Sequence, residues 1–135
     1  MDEPVMKKLM ILFAAGCLGG LANSLVVWQF GSLGFNASLG VNIAPALSAQ
    51  WLYPRIVWGG IWGLVFLLPF YASKPVMKGA ILSLMPSAIQ LFVIFPFKAH
   101  KGMGGVDLGL LTPLLVLFFN WVWGVTTAVA IKMAR

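Results

Sequence analysis

The sequence predicts an all-α integral membrane protein with four transmembrane helices. Three observations lead there. Of 135 residues, 61% are hydrophobic and only 9% charged, whereas a soluble domain is about half apolar and about a quarter charged. The few charges cluster, leaving none from Leu9 to Pro54, Ile56 to Ser73, Gly79 to Phe97 or Leu108 to Ile131. A helix needs roughly 20 apolar residues to cross the hydrocarbon core, and each window is close to that length or longer. Every connection is short, so residues 1–135 are expected to form one transmembrane domain with no separate soluble module.

The first span is read over 9–30, behind Lys7 and Lys8. Residues 31–53 follow with no charge, and Gly31, Gly34, Asn36 and Gly40 mark turns. Val41 to Tyr53 is apolar but too short to cross, and predicts an interfacial or re-entrant helix with Trp51 and Tyr53 at headgroup level. The second span is read over 55–71, with Pro54 suited to its first turn. A basic loop with Lys74 and Lys78 leads to the third span, 79–95, which Pro96 should end. A second loop carries Lys98, His100, Lys101 and Asp107, and the fourth span is read over 110–131.

Charge sets the expected orientation. Lys7, Lys8, Lys74, Lys78, Lys132 and Arg135 fall on one side, and Arg55, Lys98 and Lys101 on the other. The basic excess stays in the cytoplasm, so both termini are expected there. The formal net charge of +6 is explained by orientation and lipid headgroups. No run of interleaved Lys/Arg and aromatic residues lies outside the spans, which argues against nucleic-acid binding.

The two halves echo one another faintly. Gly40-Val41-Asn42-Ile43 is similar to Gly105-Val106-Asp107-Leu108, and Ile61-Trp62-Gly63 to Val122-Trp123-Gly124. Two spans per repeat would make two parallel helix pairs.

Within the spans, small and polar residues fall on defined faces. Gly16, Gly20 and Ser24 lie four apart, as do Gly59 and Gly63. Such faces let helix backbones approach closely in lipid, either inside the bundle or against another subunit. Ser83, Ser87 and Gln90 share one face of the third span with Gly79. Asn23 and Asn120 lie within spans, where an amide without a partner costs several kcal/mol. Trp28, Trp51 and Trp58 suit an interfacial belt, while Trp62, Trp121 and Trp123 fall nearer mid-membrane. Asn23, Ser83, Ser87, Gln90, Asn120, Trp62, Trp121 and Trp123 are therefore the expected lining of a ligand or partner pocket. Such a pocket would suit a lipid, quinone, pigment or apolar solute; no dedicated cofactor and no metal is expected.

The chemistry-bearing inventory is thin. Asp2, Glu3 and Asp107 are the only acids and none lies in a span, which removes an intramembrane proton relay of the Asp/Glu type. His100 is the only histidine, so a bis-His haem or His-rich metal site cannot form within one chain. There is no phosphate loop, no triad at membrane depth and no buried carboxylate pair. Cys17, the only cysteine, follows Ala14-Ala15-Gly16, but the apolar run continues to Phe30. It reads as a packing residue rather than a lipoprotein cleavage site.

KGAILSLMPSAIQLFVIFPF (78–97) with FFNWVWGVTTAVAI (118–131) resembles the C-terminal half of the YagU-like inner-membrane proteins, an uncharacterised family. The resemblance implies a bacterial inner-membrane location and no mechanism. The expected function is a non-enzymatic structural or accessory subunit, packing on itself or on other membrane subunits among lipids. The alternative is a small oligomeric transporter or channel for an apolar or weakly polar solute.

Overall fold

The computed structural model describes residues 4–69, 71 and 73–135. The acids Asp2 and Glu3, and positions 70 and 72 near the expected end of the second span, lie outside them. The described residues are mostly helical, with no strand among them.

Helix α1 (Val5–Ser32) has 28 residues, about 42 Å at 1.5 Å per residue. It overruns the expected 9–30 at both ends. Gly34, at φ 80°, turns the chain out of it. A single turn, α2 (Phe35–Ser38), follows. The separate helix expected over 41–53 does not form. Residues 41–48 are non-helical, and 49–53 are the opening of the next helix. Asn36 decides this locally: its Nδ2 donates to the Ile43 carbonyl at 2.9 Å, and its own carbonyl accepts from Val41 N–H at 2.9 Å. That fold-back leaves too few residues for a helix over 41–48.

Helix α3 (Ala49–Gly63) starts six residues before the expected 55, because the Ser48 hydroxyl caps it by accepting from Trp51 N–H at 3.2 Å. Pro54 consequently sits inside the helix, not in its first turn. A 3₁₀ turn, Leu64–Leu67, prolongs α3. Leu68 is then extended, as a residue before proline prefers, so helix ends well short of 71. The third limb starts at Pro75, a first-turn proline. It runs as α4 (Pro75–Leu82), α5 (Leu84–Ile89) and a π-helix, Gln90–Lys98. Pro86 deprives the Leu82 carbonyl of its helical donor, and the α-helical run is interrupted at Ser83, whose hydroxyl donates to Ala80 O at 2.7 Å. Pro96 does not end the limb; the π register carries it to Lys98. Helix α6 (Thr112–Ala134) closes the chain. Three limbs, Val5–Ser32, Pro75–Lys98 and Thr112–Ala134, are long and apolar enough to cross a membrane.

Glycine contacts set the packing. A Cβ at Gly16 would meet the Gly59 carbonyl oxygen, and one at Gly20 the Arg55 carbonyl. A Cβ at Gly79 would meet the Gly124 carbonyl, and one at Gly19 the Thr127 hydroxyl and Trp123. Each pairing is antiparallel: α1 with α3, α1 with α6, and α4 with α6. Both described chain ends therefore share one end of the bundle, and Lys8 and Arg135 fall within electrostatic reach of Lys78 there. Leu12, Phe66, Leu82, Trp123 and Ala128 form the core at that end. At the far end, Val27, Val41, Leu115 and Phe119 pack together. There the two long connections join, where Asn42 N–H donates to Leu108 O at 2.7 Å.

Candidate functional site

The glycine contacts close three sides of the four-limb ring. On the fourth side the turn after α3 reaches α4, near the shared chain ends. There Lys78 Nζ donates to the Phe66 carbonyl at 3.0 Å. Above that point α3 and the α5–π limb stand apart, and a cavity of about 310 Å³ opens between them. Trp58 and Trp62 line it from α3, Ile89, Gln90 and Ile94 from the opposite limb, and Asn120 and Trp123 from α6 behind. Trp58 is 59% exposed and Ile89 42%, so the cavity opens sideways, onto the surface that faces lipid in a membrane-crossing bundle.

A second cavity, about 390 Å³, lies beneath the connection carrying Asn42, Ile43 and Pro45. Asn23, Arg55, Gln90 and Asn120 line both cavities, forming a polar partition between the lateral opening and the far end.

Helix spacing builds this partition. Arg55 sits in the second turn of α3, opposite Asn23 and Ser24 of α1. Its Nε donates to Ser24 Oγ at 2.8 Å and its Nη2 to Asn23 Oδ1 at 2.7 Å. The Trp51 ring lies under the guanidinium carbon at 4.7 Å. Asn23 Nδ2 in turn donates to Phe119 O of α6 at 2.6 Å. On the other side, Asn120 Nδ2 donates to Ser87 Oγ at 3.0 Å and Gln90 Oε1 at 3.3 Å. Ser87 has its hydroxyl proton on Ser83 O at 2.8 Å. The two asparagines, each expected to need a partner, thus face protein and cavity together.

Of the expected pocket set, Asn23, Gln90, Asn120, Trp62 and Trp123 line the cavity, and Ser87 orients Asn120. Trp123 is 4% exposed and donates its indole N–H to Gly59 O at 3.2 Å. Two members fall elsewhere. Ser83 is buried against Gly124 in the α4–α6 contact. Trp121 is 44% exposed and stacks on Phe118, outside the bundle, because it lies two residues from Trp123 and so points to another side of the helix. Gly16, Gly20, Gly59 and Gly63 pack within the chain, and Ser24 bonds Arg55.

Sequence reasoning missed Arg55, Lys98 and Trp58. The first two count as end charges and the third as belt in a linear reading. The available signal was that Arg55 is the only charge between Lys8 and Lys74. Among the described residues no cluster of three potential metal ligands occurs. Comparison with family models, with curated proteins and with solved structures returns no match.

Proposed function

We propose that the chain crosses the bacterial inner membrane four times, with both termini cytoplasmic. Its working part would be the lateral cleft, which takes up a small solute from the bilayer and holds it against the polar partition. The observation that carries this reading is a cavity open on the side of the bundle and floored by amides, with a second cavity behind it. Polar groups at membrane depth are expensive and mark solute paths.

Helix α3 with its 3₁₀ turn comprises 15 and 4 residues, about 30 Å by their respective rises, enough for the fourth crossing. Its antiparallel packing on α1 supports that placement. A duplicated ancestry has support too. Gly16, Gly20 and Ser24 on α1 have counterparts in Gly79, Ser83 and Ser87, at one common offset. Gly16 meets Gly63 as Gly79 meets Gly124. One motive of the accessory-subunit reading, the small-residue faces, is met inside the chain. The non-enzymatic reading rests on a cavity lining that, among the described residues, holds no acid, histidine, cysteine, serine or threonine.

Native mass spectrometry of the protein from gentle detergent tests the reading. Wild type should retain a small amphiphile at about one per chain, and Ile89→Trp, which fills the cleft mouth, should lose it. A wild-type protein that carries nothing and binds nothing in nanodiscs would overturn it.

A further inference from the structure

The cleft holds an unused binding capacity of one chemical kind. Arg55 carries five N–H donors, and two of them are occupied, by Ser24 and Asn23. The remaining three have no acceptor among the described residues. The Gln90 side-chain amide likewise uses its oxygen, toward Asn120, and its NH₂ has no acceptor among the described residues. Lys98, exposed at the end of the π-helix, lines the same cavity. Among the described residues no acid lines either cavity, and Asp107 is the only acid. The site is thus rich in donors and cationic, with no internal counter-ion. A guanidinium clamped at Nε and one Nη presents its remaining N–H groups in a fixed fork, the arrangement that suits carboxylate or phosphate oxygens. Trp58, Trp62, Ile89 and Ile94 form apolar walls between this fork and the lipid-facing opening.

Resting on the cleft as a solute site, we infer that its ligand is an amphiphile with an oxyanion head. The carboxylate or phosphate accepts from Arg55 and Gln90, Lys98 stands near the head's path, and the alkyl chain lies along the tryptophan and isoleucine walls. A free phosphate shares the head chemistry and lacks the chain, which would leave those walls uncovered.

Quenching of tryptophan fluorescence in neutral nanodiscs tests this, using ω-bromoalkyl carboxylate, phosphate, alcohol and trimethylammonium probes of one chain length. The two anionic probes should quench saturably at about tenfold lower mole fraction than the alcohol, the worth of one charge-assisted hydrogen bond. Arg55→Gln should erase that preference and leave the alcohol unchanged. Lys98→Gln, at an exposed position that leaves folding intact, should weaken it about threefold. Lys74→Gln, exposed and far from the cleft, should change nothing; an equal loss there would assign the effect to general surface charge and overturn the inference. Saturable quenching by all four probes alike would keep the cleft reading and overturn the anionic head. No saturable quenching by any probe would overturn both. Inorganic phosphate should fail to displace the anionic probes; displacement by it would make the ligand a free anion and overturn the amphiphile.

Discussion

The two ends of the bundle are built from different materials. Toward the chain termini, Gly16, Gly63, Gly79 and Gly124 bring backbones into contact and Leu12, Phe66, Leu82 and Trp123 fill what remains. Toward the far end, the corresponding helix faces carry Asn23, Ser24, Arg55, Ser87, Gln90 and Asn120, and the limbs part around two cavities. In lipid there is no hydrophobic force between helices, so close packing and interhelical hydrogen bonds must hold the bundle. Glycine supplies the first and leaves no room. Amides and a guanidinium supply the second and leave space between limbs. The closed end therefore reads as the clamp and the open end as the site.

Four substitutions would break or sharpen that contrast. The largest effect is expected at Gly16→Leu, which drives a side chain into the Gly59 carbonyl. Because the obstacle is backbone, relief requires α1 and α3 to separate. A loss at or above the upper end of the usual 1–3 kcal/mol for overpacking should follow, read as a collapse of the detergent-solubilised protein to aggregate on size exclusion. Next is Asn23→Ala. It removes an acceptor from Arg55 and a donor from the α1–α6 link, and about 2–3 kcal/mol should be lost in reversible unfolding in mixed micelles. A smaller effect, about 1 kcal/mol, is expected for Trp123→Phe, which keeps the ring against Phe66 and forfeits the N–H bond to Gly59. Trp121→Leu should fall within about 0.5 kcal/mol, since the ring stands outside the bundle. A Trp121 effect matching that of Trp123 would show that the outer face of α6 is covered by something in the assembled protein.

Much of the fold was legible in advance. The charge-free windows located α1, the third limb and α6 to within a few residues, since hydrocarbon thickness fixes how long an uncharged run must be. The errors fell at boundaries set by single side chains. The Ser48 hydroxyl moved the start of α3 to Ala49, Asn36 folded 36–43 into a turn, and the π register took the third limb past Pro96. Around the site, polarity at depth singled out Asn23, Gln90 and Asn120, which the structure brings together along one cavity, because an amide in hydrocarbon must find partners. It could not separate Trp123, which is buried, from Trp121, which is exposed. That distinction depends on which side of α6 faces α1.

What the sequence by itself determined is the solvent this chain is made for and the approximate length of three of its apolar runs. The physical reason is local, since each run is measured against the bilayer independently of the others. Only the tertiary structure decided that Arg55 turns inward, thirty-odd positions from Asn23 and Ser24 in the chain yet bonded to both. It also decided that α3 and the π limb stay apart. Those facts arise from the register of glycine contacts between helices, and no single helix carries that register in its own sequence.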